Sequence, residues 1–341
     1  TYVQLLTENT PGVRGLAQNF GMEYIPGAWM ESIQVSKGTS SVINGYEATT
    51  GQINVEYLKP QTQDPIALNG MVSTSLRAEL NATGGWDINE KWSTGVLAHY
   101  KNVSMEHDTN GDGFMDLPKG QQANLLNRWY MKDGNYTGQY LVRGLYDERN
   151  GGQTQKYIRE NNITDPYGIG IRTWRLDAFM KQGYVFDEAK GTSIGIITSG
   201  SYHNQQNMYG HRVYDGAQGN FYLNAMFQTY FDETDKHKIT AGLSLNYDNY
   251  YEVMTSDKEE FKIPTMESAK KTLNMTRQEW TPGLFAEYSL KVDEKLSLLA
   301  GVRGDYSTQY GFFVTPRFNV RYSPWEWWNL RGSVGMGYRS P

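Results

Sequence analysis

The chain has 341 residues, a net charge of −5 and no cysteine, which excludes disulfides, cysteine-ligated metals, thiol nucleophiles and a basic surface for nucleic acid. Its 25 Tyr, 12 Phe and 9 Trp, with 36 Gly and only 11 Pro, favour many strands and tight turns over a helical protein. No stretch approaches the ~20 apolar residues of a membrane-spanning helix, although strands that are apolar at alternate residues could still cross a membrane.

Residues 1–63 differ in pattern from the rest of the chain. They are rich in Gly, Thr and Ser and contain only short apolar runs, for example at 33–35 and 53–55. From Asp64 onward the sequence changes to long segments in which apolar and polar residues alternate, and this continues to the last residues. We therefore predict two units, residues 1–63 and residues 64–341, the second built from strands with one apolar face.

The alternation is clearest near the end of the chain. Over 314–322, Val, Pro, Phe, Val and Tyr alternate with Thr, Arg, Asn and Arg, and the segments 296–306 and 328–339 share this design. Each is near the ~9 to 11 residues with which a tilted strand crosses a bilayer, and aromatic residues close the apolar faces, as expected at headgroup level. We expect the apolar sides to face lipid and the polar sides to face an enclosed interior. A soluble sandwich with buried apolar faces is the alternative.

Charged residues recur on the polar side of these segments and are candidates for an inward-facing set. They are Arg143, Glu287, Arg303, Asp305, Arg317 and Arg331. One hypothesis makes the arginines a ladder that binds a ligand. We favour the alternative, in which they pair with carboxylates of the lumen or of the N-terminal unit, because a buried charge needs a partner. The sequence contains no nucleophile elbow and no Gly-rich phosphate loop, so we expect no enzyme.

The connections between these segments fall into two alternating classes. The short ones are polar turns near 87–90, 133–135, 187–191, 232–237, 293–295 and 323–324. The long ones lie at 107–120, about 150–166, about 204–219 and about 255–276. Tight turns at one end and long loops at the other are typical of an up-and-down transmembrane barrel, of which we count about 13 strands. Because a single-chain bacterial barrel has an even number of strands, we expect the sequence to stop before the barrel closes.

The first of the long loops carries a candidate metal site. Its oxygen-bearing residues are Asp108, Asn110, Asp112, Phe114 and Asp116. They fall at positions 1, 3, 5, 7 and 9 of an EF-hand-like loop, where calcium finds converging side-chain oxygens and one carbonyl. Position 12 is Lys119 instead of Glu, so another loop would have to complete the shell. We predict Ca²⁺ binding here, and a Gly- and Asp-rich hairpin loop without an ion is the alternative.

Residues 30–59 resemble the distal part of the plug domain of TonB-dependent receptors. The matching positions are Glu31, Ile33, Val35, Lys37, Gly38, Ser40, Ser41, Gly45, Ala48, Gly51, Ile53 and Asn54. Lys37, Thr39 and Thr50 stand where Arg, Pro and Gly are usual. Because Lys lacks the bidentate fork of Arg, a salt bridge from Lys37 to a barrel wall should be weaker. Segments 315–319 and 330–341 are similar to landmarks in the barrel of the same family.

The resemblance implies an all-β fold, a partial antiparallel up-and-down transmembrane β-barrel (64–341) with the distal half of a plug domain (1–63). It implies a receptor of the bacterial outer membrane that takes up a scarce, bulky nutrient, such as an iron-siderophore, cobalamin or another metal chelate. Its partners would be the nutrient chelate, outer-membrane lipid and the TonB complex, the last through a TonB box that would precede Thr1.

Three alternatives stay open at this point. A glycan-uptake receptor of the same class would share the fold and differ in its loops. A soluble carbohydrate-binding or carbohydrate-active β-protein would bury the apolar faces that we expect to meet lipid. A passive porin would lack the plug-like first 63 residues.

Overall fold

The computed structural model describes residues 3–232, 234–256 and 272–339, and this part of the chain is almost entirely β-structure. Its strands form two sheets, one of 3 strands and one of 13 strands. One short α-helix, α1 (Gln155–Glu160), lies in the described residues. None of the helical segments described is both long and apolar enough to cross a membrane.

The small sheet lies in the N-terminal part of the chain. Its strands are β1 (Val3–Thr7), β2 (Met30–Lys37) and β3 (Gly51–Tyr57). The central strand is β3, on which Ile53 pairs with Leu5 of the parallel β1 and with Val35 of the antiparallel β2. A parallel pair needs a crossover connection, and the chain between β1 and β3 supplies it with β2 and three 3₁₀ turns. We call residues 3–63 the inner segment.

The large sheet, which we call the wall, is a meander in which each strand pairs antiparallel with the next. Its strands are β4 (Ala67–Val72), β5 (Arg77–Asp87), β6 (Trp92–Val103), β7 (Lys119–Asp133), β8 (Tyr136–Gly152), β9 (Gly168–Asp187), β10 (Thr192–Tyr209), β11 (Arg212–Tyr230), β12 (His237–Ser256), β13 (Thr272–Lys291), β14 (Leu296–Ser307), β15 (Gly311–Trp325) and β16 (Trp328–Gly335). The strands from β9 to β13 run for 18 to 20 residues. These strands are therefore longer than the ~9 to 11 residues with which a tilted strand crosses a bilayer.

Side chains of the wall alternate between two faces with the predicted period of two. On β14, Val302 and Tyr306 are 50% and 53% exposed, whereas Arg303 and Asp305 are 2% and 1% exposed. The same alternation holds along most of β15. The outer face is therefore apolar and the inner face polar, which confirms the predicted fold class and contradicts a sandwich with buried apolar faces.

The inner segment packs against the inner face of the wall. The larger of the two apolar clusters combines side chains of both parts: Ile25, Trp29, Val55 and Tyr57 with Leu97, Leu126, Leu141 and Phe179. Trp29 is fully buried in this cluster and meets the Tyr57 ring edge-on, with ring centroids 6.3 Å apart. Because burying one such side chain contributes about 1.5–3 kcal/mol, the cluster is a strong apolar attachment of the inner segment.

One predicted long loop, at about 204–219, is wrong. The strands β10 and β11 pair through this region, with Asn204 opposite Ala217, and a two-residue turn at 210–211 joins them. Polar residues interrupt the apolar outer row here, with Asn204, Gln206 and Asp215 beside Met208 and Val213, so the alternation is lost. Composition therefore suggested a loop where the hydrogen-bonded ladder continues.

Other connections agree with the sequence more closely. The long loops between β6 and β7 and between β8 and β9 are present, and α1 lies in the second. The predicted short turn at 323–324 is wrong, because β15 continues to Trp325 and the turn follows it. Of the predicted loop at about 255–276, residues 257–271 lie outside the described part of the chain.

Candidate functional site

The candidate functional site is the surface on which the inner segment meets the polar inner face of the wall. Hydrogen bonds and ion pairs join the two parts at several places between β7 and β15. In most of these contacts a charged wall side chain is directed at the backbone or at a polar group of the inner segment. Burial is tolerable for such charges because each has a partner.

The most deeply buried contact centres on Glu8. This residue follows β1 with φ 55°, and its side chain is 2% exposed. Its carboxylate accepts the Tyr57 backbone N–H at 2.9 Å and Arg128 Nη1 at 3.1 Å, and Lys181 Nζ lies 3.3 Å from the second oxygen. Arg128 also donates to the carbonyls of Tyr57 and Leu58. One carboxylate and two wall cations therefore tie the ends of β1 and β3 to β7 and β9.

A second contact surrounds the Tyr57 hydroxyl. Arg143 Nη1 donates to this oxygen at 2.8 Å, and the same guanidinium binds Asp177 at 2.7 Å. Arg175 binds Asp177 at 2.6 Å and donates to the Gly12 carbonyl at 2.6 Å. Burial raises the pKa of the Tyr57 phenol, so the hydroxyl stays neutral and accepts from Arg143. Arg143, one of the predicted lumen-facing residues, is 3% exposed on the inner face of the wall.

The third contact holds the 3₁₀ turn Val42–Asn44 of the inner segment, which Ser41 caps through its side-chain oxygen. Glu287 of β13 accepts the Ser41 hydroxyl at 2.6 Å and the N–H of the next residue at 3.2 Å. Arg317 of β15 donates to the carbonyls of Ser40 and Ser41 at 3.1 and 2.9 Å. The carboxylate takes the donors of the turn and the guanidinium takes its acceptors, so both kinds of backbone group are satisfied.

The remaining inward candidates are two wall arginines and one carboxylate. The Arg303 Nε binds both oxygens of Asp305, at 2.9 and 2.7 Å, and the guanidinium reaches the Val42 carbonyl at 3.5 Å. Arg303 is therefore paired with a carboxylate of its own strand. Arg331 lies opposite Arg321 in the inner row, is exposed and makes no hydrogen bond to the inner segment within the described residues.

A fourth contact binds Arg14 of the inner segment. Its guanidinium lies 2.8 Å from Glu47 in the same segment and 3.1 Å from Asp248 on β12. Burial alone would lower the pKa of this guanidinium, but the two carboxylates raise it above its usual value. Gln218 on β11 accepts the neighbouring Leu16 N–H at 3.0 Å. Arg14 is thus a charge of the inner segment that the wall neutralises.

Gly301 on β14 is required by the close approach of the inner segment. A Cβ atom at this position would lie 2.7 Å from a methyl group of the fully buried Val42, and a β-branched side chain cannot easily turn away. We expect Gly301→Ala to loosen the inner segment by about 1–3 kcal/mol through overpacking. The measurement is the rate at which a protease cleaves the inner segment of the purified protein. Gly304→Ala is the control, because its Cβ would meet only the Phe312 ring at 3.4 Å, and equal cleavage rates in the two variants would contradict the expectation.

Four residues of the plug-like motif shape the inner segment itself. Gly38 and Gly45 have φ of 76° and 96°, a left-handed backbone that favours glycine where β2 and the 3₁₀ turn end. A side chain at Gly51, where β3 begins, would lie 2.8 Å from a β2 carbonyl. Asn54 is buried on β3 and accepts the Asn9 N–H at 2.7 Å.

Two further motif residues, Glu31 and Lys37, form no hydrogen bond or ion pair with the described residues of the wall. Glu31 forms an ion pair with Lys59 at 2.7 Å inside the inner segment. Lys37 is exposed, and no salt bridge joins it to any residue of the described ranges. The wall contacts of the motif are made instead by Ser40 and Ser41.

The predicted calcium ligands lie in one loop but bind its own backbone. Asp108 accepts two N–H groups of the loop at 2.8 and 2.9 Å, and Asp116 accepts one at 2.7 Å, a hydrogen bond that lowers the pKa of Asp116. Asn110 and Asp112 accept the N–H groups two residues further on, the second being that of Phe114. In the ranges that the structure describes, no three His, Cys, Asp or Glu side chains converge as a metal site.

Calcium binding to this loop stays a prediction, because a carboxylate that accepts one N–H keeps other lone pairs for an ion. We expect terbium added to the purified protein to luminesce when the tyrosines are excited, with Tyr157, whose ring lies against Gly113 of the loop, as a donor. We expect Asp108→Ala to abolish this signal. The same luminescence in the variant would show that the loop is only a hydrogen-bonded turn.

Several residues of the contact surface were not identified from the sequence. Arg128 lies in the same inward row of β7 as Leu126 and Asn124, so the alternation could have identified it. Glu8 follows a strand of only 5 residues, and its partner is 120 positions away. No local sequence pattern predicts such a contact, because the two residues come together only when the long chain segment between them has folded.

The protein-family model described as "TonB dependent receptor-like, beta-barrel" matches residues 39–341. The chain belongs to this family. TonB-dependent receptors lie in the bacterial outer membrane, and so does this protein. The family consists of transport receptors rather than enzymes, and its members interact with TonB and with ligands.

Solved structures of TonB-dependent receptors share the fold. The alcaligin outer-membrane receptor FauA from Bordetella pertussis has a TM-score of 0.70 at 11% identity, over 96% of this chain and 53% of that chain. The copper transporter OprC has a TM-score of 0.76 at 11% identity, over 100% of this chain and 56% of that chain. The ferripyoverdine receptor of Pseudomonas aeruginosa has a TM-score of 0.71 at 11% identity, over 96% of this chain and 50% of that chain. The chain thus spans about half the length of these structures, and no curated protein sequence matches it.

Proposed function

We propose that this receptor imports a scarce, bulky metal chelate, such as an iron-siderophore or cobalamin, when TonB displaces the inner segment. The observation that carries the proposal is the inner segment itself, which packs on the polar inner face of the wall. We take it to be the distal half of a plug domain. The names of the similar structures, an alcaligin receptor, a copper transporter and a ferripyoverdine receptor, support a metal chelate as substrate.

The contacts suit a segment that must be held firmly and still be moved. Each buried hydrogen bond that breaks is replaced by one to water, so its net contribution is about 0.5–1.5 kcal/mol. Contacts of this kind can be released in sequence by a pull. A passive porin would not need an inner segment fixed by the buried ion pair of Glu8 and Arg128.

The other rivals make different demands on the molecule. A soluble carbohydrate-active protein would have to bury the apolar row that includes Val302 and Tyr306, which is half exposed on the outer face. A glycan-uptake receptor would keep every contact described above, because the same wall and inner segment serve any bulky solute. Only a substrate test separates it from the proposal.

The test is uptake by cells that express the complete receptor and lack other receptors for metal chelates. We expect accumulation of radioactive iron-siderophore, or of labelled cobalamin, that stops when TonB is deleted or the proton gradient is collapsed. Uptake that continues without TonB would contradict the mechanism. TonB-dependent growth on glycans, without uptake of any metal chelate, would replace the proposed substrate by the glycan alternative.

A further inference from the structure

A cavity of about 110 Å³ lies at the loop-bearing end of the wall. It is lined by the ends of β5 to β8, by the loop that joins β6 to β7 and by Glu23 of the inner segment. Its charged lining consists of four cations and three carboxylates: Arg77, Lys101, Lys119 and Arg149, with Glu23, Asp147 and Glu148. One water needs roughly 10–15 Å³ of such space, so the cavity has room for a group of several heavy atoms.

Most cations of this cavity already have a counter-ion. Lys119 Nζ lies 2.7 Å from Glu106. Arg149 binds Asp147 at 2.7 Å and also pairs with Glu23 of the inner segment. These pairs leave little net charge for a ligand.

Lys101 differs from these cations. It is partly buried in the inner row of β6, and it forms neither a hydrogen bond nor an ion pair with the rest of the described chain. Glu79 lies directly opposite on β5, but the carboxylate of Glu79 is bound by Arg77. The carboxylates of Asp147 and Glu23 act on this ammonium only through space, and both are bound by Arg149. A partly desolvated ammonium without a direct ion pair is unfavourable, and an anion that enters the cavity would reduce this cost.

We propose that Lys101 forms a subsite for an anionic oxygen group, a carboxylate or a phosphate, of the substrate. The subsite lies near the loops, where a solute arriving from outside the cell would meet it, so the inference rests on the proposed function. The ammonium has three donors and no fixed fork, which suits a small anion at the wall of a cavity. An anionic chelate would therefore be held above the inner segment before release.

The experiment is calorimetric titration of the complete receptor in detergent with citrate and with inorganic phosphate. We expect Lys101→Gln to bind citrate at least about tenfold more weakly than the unchanged receptor, since a charged pair of this kind contributes about 1.5 kcal/mol or more. Lys101→Arg should restore binding. Lys132→Gln, which removes an exposed lysine at the opposite end of the wall, should leave it unchanged.

Equal citrate binding in the unchanged receptor and in Lys101→Gln would overturn the proposal, as would no binding of either anion. Binding of phosphate with no binding of citrate would assign the subsite to free phosphate or to a phosphorylated solute. Cellular uptake is measured in parallel. TonB-dependent uptake without anion binding would leave the proposed function intact, whereas anion binding without TonB-dependent uptake would leave only the subsite.

Discussion

An Arg128→Met variant is expected to hold its inner segment about 3–5 kcal/mol less tightly than the unchanged receptor, because removal of one partner leaves a buried charge unpaired. Arg128 is 2% exposed and reaches Glu8 and two backbone carbonyls at once. Lys181 remains 3.3 Å from Glu8 and compensates in part, so we expect the lower end of this range. The variant keeps the stem of the side chain and loses only its donors and its charge.

The measurement uses the absence of cysteine from the chain. A single thiol introduced at Ala17, which is fully buried in the inner segment, reacts with a maleimide only when the segment leaves the wall. The urea concentration at which labelling begins should fall in Arg128→Met. It should not change in Arg172→Met, which removes an exposed arginine from β9. If both variants label at the urea concentration of the parent, the ion pair does not hold the segment.

A Trp29→Ala variant is expected to lose about 3–5 kcal/mol from the same attachment, in this case through a cavity in the apolar cluster. Trp29 is fully buried. The cluster around it joins the inner segment to β6, β7, β8 and β9. Its indole N–H has no hydrogen-bond partner among the described residues, so the loss is one of packing alone.

The same labelling assay tests the apolar attachment. Trp280→Ala is the matched control, because Trp280 is 45% exposed on the outer face of β13 and does not touch the inner segment. Labelling should begin at lower urea in Trp29→Ala than in Trp280→Ala. The opposite order would mean that the outer face of the wall, and not the apolar cluster, governs how firmly the segment is held.

The two attachments differ in how they respond to a pull. Polar contacts such as those of Glu287 and Arg317 bind a single turn of the inner segment and can be exchanged for water one at a time. The cluster around Trp29 loses its contacts together, because a packed interior has no intermediate arrangement of equal density. We therefore expect the turn Val42–Asn44 to separate from the wall before the cluster does.

The wall could be predicted from the sequence because its rule is local. In a strand with lipid on one side and a polar interior on the other, apolar and polar residues must alternate. The faces on which Val302 and Arg303 lie can therefore be predicted without knowledge of the rest of the fold. The rule failed at 204–219, where Asn204, Gln206 and Asp215 interrupt the apolar outer row. It also misplaced the turn after β15, since Ser-Pro is a common turn sequence that here lies inside a strand.

The contact surface could be predicted only in part. The motif containing Ser40 and Ser41 was recognisable, and Glu287 and Arg317 were identified as inward residues, but nothing in the sequence joined the two pairs. Their contact depends on how the inner segment is seated against a wall some 250 residues later in the chain. Such pairings follow from tertiary packing, which local periodicity does not encode.

The central claim, that the wall turns its apolar row to lipid and its polar row to an aqueous interior, is tested most directly by spin labels on β15. Single cysteines would be placed at Val314, Phe318 and Val320 in the outer row and at Asn319 and Arg321 in the inner row. In lipid bilayers the outer labels should be relaxed strongly by oxygen and weakly by a polar nickel chelate, and the inner labels should show the reverse. Accessibility without this alternation, or with its sign inverted, would contradict the account.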